Sequence, residues 1–220
     1  MGLPVLILGK SGSGKSTSLR NFKPGEVGVI NVLGKPLPFR GSGTLNPVTT
    51  DDYGKIIAIL KAAKADSIVI DDAGYLMTNM FMRGHASTGA GNMIFSFYND
   101  LADRFWQLVR VVVEKLPPER IVYFMMHEER SDSGGVRPKT IGKMLDEKVC
   151  VEGMFTIVLR SVSKDGKYPF RTVTDGMDVA KTPMGMFDAD EIDNDLKSVD
   201  AAIREYYGLN TKEEKRNEEA

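Results

Sequence analysis

The sequence predicts an α/β fold, with a mostly parallel central sheet, helices on both faces and a C-terminal β-hairpin. Three observations predict it. Short apolar runs at residues 5–8, 26–32, 67–72 and 120–127 alternate with segments of helical period. A glycine-rich turn joins the first run to the segment that follows it. An Asp165-Gly166 pair lies between two apolar stretches near the C-terminal end, which is a hairpin signal.

The elements follow in order. VLIL (5–8) is wholly apolar, which suits a strand covered on both faces. Gly9 to Ser16 then reads G-x-x-x-x-G-K-S, the phosphate-loop (P-loop) pattern of NTPases. Gly9, Gly12 and Gly14 permit a tight turn that aims backbone N–H groups inward. A helix, STSLRNF, is expected immediately afterwards, its dipole favouring an anion at the same place. On this pattern Gly9, Lys10, Ser11, Gly12, Ser13, Gly14, Lys15, Ser16 and Thr17 cradle nucleotide phosphates. Lys15 is expected to reach the β and γ phosphates, and Ser16 to ligate Mg²⁺.

EVGVINV (26–32) reads as the second strand, and LGKPLPFRGSG (33–43) as a proline-glycine loop. TTDDYGKIIAILKAAKA (49–65) reads as a helix capped by Thr50 or Asp51, with Ile56, Ile57 and Leu60 on one face. SIVIDD (67–72) is the third strand. A glycine-rich loop (83–92) leads into a long helix in which Ile94, Phe97, Tyr98, Leu101, Phe105, Leu108 and Val112 recur at helical spacing; Pro117 and Pro118 end it. RIVYFMMH (120–127) is the fourth strand and ERSDSGGVRPKTIGK (129–143) a polar loop. FTIVLRSVSKDGKYPFRTVT (155–174) is the hairpin, followed by a last helix at about 190–207 and a charged tail. The organisation expected is a core over 1–187, a C-terminal helical segment over 188–209 and a tail over 210–220.

In a parallel sheet, ligands gather at the carboxyl ends of the strands, so those ends hold the candidate site residues. Asp71, at the tip of an apolar strand, is expected to hold Mg²⁺ through water. Asp72 either polarises an attacking water or caps the next turn. His127 ends the fourth strand; if that strand adjoins the first, the imidazole can sense a γ-phosphate, and otherwise it merely ends a strand. Glu128 is a second candidate for placing water, and His85 is expected to be simply solvated. Lys181, after the hairpin, either reaches a neighbouring subunit's phosphate as arginine fingers do or is a surface lysine; Arg160 and Arg171 are further cations of this kind. The loops at 81–92 and 129–143 offer Arg83, Arg130, Arg137, Lys139 and Lys143 to single-stranded DNA, or are flexible surface loops; Phe81 is their sole aromatic residue.

Composition narrows the field. The net charge of −1 leaves no global field for nucleic acid or an acidic membrane, so any DNA contact must be local. A single cysteine, Cys150, excludes an internal disulfide and fits a reducing compartment. The opening apolar run is too short for a signal peptide, and no stretch is long enough to span a bilayer; a soluble, cytoplasmic protein is expected.

LILGKSGSGKST, SIVIDDAGYL, IVYFMMHEE and the hairpin followed by VAKTPMGMF together resemble the phage-encoded ATP-binding proteins of the RecA-like ATPase group, over roughly residues 3–187. Some relatives are single-strand annealing or recombination proteins. The resemblance implies ATP and Mg²⁺ as ligands and a sheet with the phosphate loop at its edge. It also implies a homo-oligomeric ring or filament with nucleotide at the subunit interfaces, and nucleotide-dependent binding of single-stranded DNA. His127 would then be the nucleotide sensor and Lys181 the cation acting across the interface. A single-strand binding protein is a possible partner, and the bacterial host's cytoplasm the expected compartment. RecA-like enzymes often carry a catalytic glutamate just after the second strand; VINVLGKPLPF has no acid there, so hydrolysis must use Asp72 or Glu128, or be slow. Three functions are therefore in play: a DNA-processing ATPase in recombination or replication, a small-molecule or nucleotide kinase, and a helicase-loader-like module gated by nucleotide with little turnover.

Overall fold

The computed structural model describes residues 1–89, 91–131, 134–142, 145 and 148–209. The strands are β1 (Leu3–Gly9), β2 (Val27–Asn31), β3 (Val48–Thr49), β4 (Ser67–Asp71), β5 (Ile121–Arg130), β6 (Val136–Pro138), β7 (Ile157–Ser161), β8 (Phe170–Arg171) and β9 (Glu191–Ile192). The α-helices are α1 (Tyr53–Ala62), α2 (Tyr75–Gly84), α3 (Asn92–Lys115) and α4 (Leu196–Tyr207). These strands form one mixed sheet in the order β3-β2-β4-β5-β1-β7-β8-β9, with β6 beside the far end of β5. Every pairing from β3 to β7 is parallel; β8, β9 and β6 add antiparallel.

The apolar runs are continuous because both faces of the sheet are covered. Alternate residues of each strand point to opposite faces. Leu6, Leu8, Ile68, Ile70, Val122, Phe124 and Met126 join a core with α1, α2 and α3. Val5, Ile7, Val69, Ile121, Tyr123 and Met125 join a second core, closed by Leu19, Phe22 and the Leu196, Val199 and Ile203 stripe of α4. The strong helical period at 93–116 yields a 24-residue α3 whose Leu101, Phe105, Leu108 and Val112 are buried.

Several elements differ from expectation. The resemblance implied an edge position for the glycine-rich turn, but β1 lies inside the sheet between β5 and β7. The segment after that turn is a six-residue 3-10 turn, Ser16–Asn21, rather than a regular α-helix. Asp52 caps α1 by accepting from the Lys55 amide, whereas Asp51 accepts from Asn79 and Arg83. Residues 81–84, read as loop, complete α2, so Arg83 is helical. The polar loop after the fourth strand is in part a hairpin, because β5 runs on to Arg130 and β6 pairs back on it. The last helix begins at Leu196, where Asp195 caps it, and residues 191–192 before it form a strand. The hairpin at 155–174 is present, with Asp165 and Gly166 both at positive φ in its turn. The tail at 210–220 lies outside the described residues. Among the described residues, no helix is long and apolar enough to cross a membrane.

Beneath the sheet, α4 is fastened by a buried polar network. The Asp200 carboxylate accepts from Ser67 Oγ at 2.5 Å, Tyr123 OH at 2.8 Å and Arg204 Nε at 2.8 Å. Arg204 also donates to Ser67 Oγ and to the Glu119 carbonyl. Removing one partner leaves an uncompensated buried charge. Asp200→Ala is expected to destabilise the fold by roughly 3–5 kcal/mol, read as a lower urea midpoint. Asp195 supplies a pH-dependent contribution: burial raises its pKa, but bonds from Asn21, Ser198 and the Lys197 amide outweigh that and hold it below the ordinary 3.8. A depressed carboxylate stabilises fully above its unfolded pKa and loses that contribution as pH falls through the lower folded value. Asp195→Asn, which keeps an oxygen acceptor but cannot titrate, should therefore flatten the acid limb of stability below about pH 4 in urea titrations.

Candidate functional site

Gly9, Asp71 and His127 end three strands that run the same way: β1, β4 and the parallel part of β5. Gly9 stands in register with His127, and Asn31 of β2 with Asp71. The strand ends therefore face one opening, a cavity of about 910 Å³. Ser11, Gly12, Gly14, Lys15, Ser16 and Thr17 line one wall, and Lys35, Asp71, Asp72 and His127 another. The β7–β8 hairpin contributes Lys167, Tyr168 and Pro169, and the segment before α4 contributes Asp193 and Asn194.

The loop's shape follows from its glycines and its packing. Gly12 and Gly14 take φ of 77° and 98°, which favour glycine. Gly9 is fixed by space: a Cβ there would meet Ser13 Oγ at 2.4 Å and the Ser161 carbonyl at 2.5 Å. Ser161 Oγ donates to the Ser13 carbonyl, and Asn194 donates to Ser161 Oγ at 3.3 Å. Ser13 Oγ is buried without a hydrogen-bond partner. Lys15 folds over its own loop, donating to the carbonyls of Gly9 (2.8 Å) and Lys10 (2.9 Å). Burial lowers its pKa to about 8, against the pull of Asp72, Asp71 and Glu128. Gly9, Lys10 and Ser13 thus brace the loop from behind, while the other predicted residues of the turn face the cavity.

The two aspartates have separate settings. Asp71 is buried and accepts from Ser16 Oγ at 2.7 Å; burial raises its pKa, and the Ser16 bond opposes the rise. Asp72 takes a left-handed conformation at φ 60° and turns its carboxylate into the cavity wall. Lys35 Nζ lies 2.6 Å from one Asp72 oxygen, and His127 Nε2 lies 3.4 Å from the other. Burial raises the Asp72 pKa, but these two partners outweigh it and hold the carboxyl below the usual range. Its side chain does not cap α2, although its carbonyl accepts from the Tyr75 amide at 2.9 Å. Tyr75 meets the His127 ring edge-on at 5.8 Å.

The remaining candidates lie elsewhere. Glu128 is clamped by Arg160 through two bonds of 2.8 and 2.9 Å, and Arg160 also reaches Asp178. This buried ion pair occupies both Glu128 oxygens, so the carboxylate does not face the cavity as a free base. Arg171 is likewise engaged with Asp175, Asp178 and Glu191. Lys181 is exposed and bridges Val158 through its backbone, three residues before the Ser161 end of β7 and so about 10 Å from it. His85 is exposed and stacks on Phe81 at 5.0 Å.

Among the described residues, the proposed DNA contacts do not form one basic face. Arg83 pairs with Asp51, and Arg137 with Glu129. On the β5–β6 hairpin Arg130 opposes Val136 while Arg137 opposes Glu129, so the two arginines point to opposite faces. Arg130 and Lys139 are exposed; Lys143 lies outside the described residues. Sequence reasoning missed Lys35, Tyr168 and Asn194 at the cavity. The loop after a parallel strand was a usable signal for Lys35; the other two reach the site only through the return of the hairpin and of the segment before α4. Compared with known proteins, the chain matches no protein-family model and no curated protein.

Because a methyl group at position 9 has no room, Gly9→Ala is expected to cost about 1–3 kcal/mol in urea unfolding. Gly28→Ala, where a Cβ would meet Ile68 at an ordinary 3.6 Å, serves as the tolerated comparison.

Proposed function

We propose that this chain is an ATPase of the P-loop, RecA-like type that binds ATP with Mg²⁺ and acts as an oligomer on single-stranded DNA in phage-type recombination or replication. The observation that carries the nucleotide reading is the convergence of the 9–17 turn, Lys15, the Ser16–Asp71 pair and Asp72 on one cavity at the carboxyl ends of parallel strands. Its volume of about 910 Å³ lies within the range of small-molecule sites.

The charges favour a polyanion accompanied by a cation. Lys15, Arg20, Lys35 and Lys167 line the cavity against Asp71, Asp72 and Asp193. A triphosphate is attracted by the first set and repelled by the carboxylates, a conflict that a divalent cation at Asp71 removes. Ser16 Oγ and Asp71 offer the hard oxygen donors that Mg²⁺ prefers. When bound, that ion would neutralise charge developing on the phosphates. Lys15 would bind the β and γ phosphates, Asp72 would accept the proton of the attacking water, and His127, bonded to Asp72, would register whether the γ-phosphate is present.

Single-strand binding and assembly are supported by the likeness of four segments to RecA-like phage ATPases. Lys181 is exposed, as a residue reaching a neighbouring subunit must be. A second reading, a nucleotide-gated binding module with little turnover, is favoured by the engagement of both candidate bases: Glu128 is committed to Arg160, and Asp72 is held by Lys35 and His127.

The decisive measurement is phosphate release from Mg²⁺–ATP with and without single-stranded DNA. The ATPase reading expects hydrolysis stimulated by DNA and lowered roughly 10²-fold or more in Lys15→Ala, since that lysine would stabilise transition-state charge. Tight ATP binding with negligible release under both conditions would instead support the gated module. Undiminished turnover in Lys15→Ala would refute the site.

A further inference from the structure

We infer that Lys35 is a ligand for the terminal phosphate of the bound triphosphate, supplied by the same chain and shared between Asp72 and the phosphate when nucleotide enters. This rests on the nucleotide reading of the cavity. Lys35 follows β2, and the register of Asn31 with Asp71 brings this loop alongside the acidic strand end. The loop's backbone is braced there. Buried Asn31 donates its amide to the Lys35 carbonyl at 2.5 Å and accepts from the Gly34 amide at 2.8 Å. The Val32 amide donates to the Asp71 carbonyl at 3.2 Å.

The side chain beyond that brace stands largely in solvent. It is 59% exposed, whereas its partner Asp72 is 7% exposed. Because Asp72 is buried, taking the ammonium away altogether would leave a buried carboxylate short of a partner, so the lysine moves by sharing its donors rather than by leaving. A lysine ammonium carries three donors on a flexible stem, and can keep one on Asp72 while giving another to a phosphate oxygen. Lys35 and Lys15 both line the cavity and lie close enough for the charge of one to bear on the other. An anion between them relieves that repulsion, and the group with most charge to offer is the terminal phosphate.

The test is calorimetry of Mg²⁺–ATP and Mg²⁺–ADP on the full chain, comparing wild type, Lys35→Met and Lys35→Arg. The inference expects wild type to prefer the triphosphate. Lys35→Met should cut that preference about tenfold, the scale of one charge-assisted hydrogen bond, while leaving ADP affinity within about twofold; Lys35→Arg should restore part of it. An unchanged ratio in Lys35→Met, equal losses for both nucleotides, or no triphosphate preference in wild type would overturn it. If folded wild type binds neither nucleotide, the cavity reading itself falls.

Discussion

The burial of β1 is the constraint on which the rest depends. A strand hydrogen-bonded on both sides and covered on both faces has no freedom at its end, so Gly9 emerges at a fixed point and in a fixed direction. The turn that follows is packed against Ser161 so closely that no side chain fits at Gly9. The 9–17 turn is therefore anchored to the sheet at Gly9 and Ser13. The sheet also sets what stands opposite: β5 at one side brings His127, and β4 beyond it brings Asp71 and Asp72.

The electrostatics of the cavity follow from that arrangement. Three cationic or basic groups, Lys15, Lys35 and His127, converge on two aspartates that are mostly out of water. The left-handed backbone at Asp72 turns its carboxylate toward Lys35 and His127, away from the direction Asp71 takes toward Ser16. Adjacent acids in sequence thus acquire opposite pKa displacements, one raised chiefly by burial and one lowered by its partners.

Much of this was legible in the residues, for identifiable reasons. Apolar runs such as VLIL and SIVI are strands in any environment that covers both faces, and Asp165-Gly166 can adopt the positive φ pair a tight hairpin needs. Strand order was not legible, because local sequence does not encode which strands pair; β1 therefore became an interior strand against expectation. The short β6 was hidden in a segment rich in glycine and charge, and α2 in one whose buried stripe is only Leu76 and Met77. The glycine-rich turn announced its own residues, whereas Lys35 is marked only by its place in the loop after a parallel strand, and the alignment of Asn31 with Asp71 is what brings that loop to the site. Glu128 illustrates the opposite error. Its place at a strand end suggested chemistry, and the nearby Arg160 claimed it.

The contact between Ser161 and Ser13 spans 148 residues of chain. During synthesis the glycine-rich turn is thus made long before the serine that gives it its shape. At ribosomal speeds of about 5–20 residues per second, that interval is on the order of ten seconds. For that time the Ser13 carbonyl has no Ser161 hydroxyl to meet and β1 lacks its β7 neighbour, an unpaired edge open to misassociation. The bonds from Lys15 to the Gly9 and Lys10 carbonyls need only nearby residues, but the anchor of the turn to the sheet waits for β7.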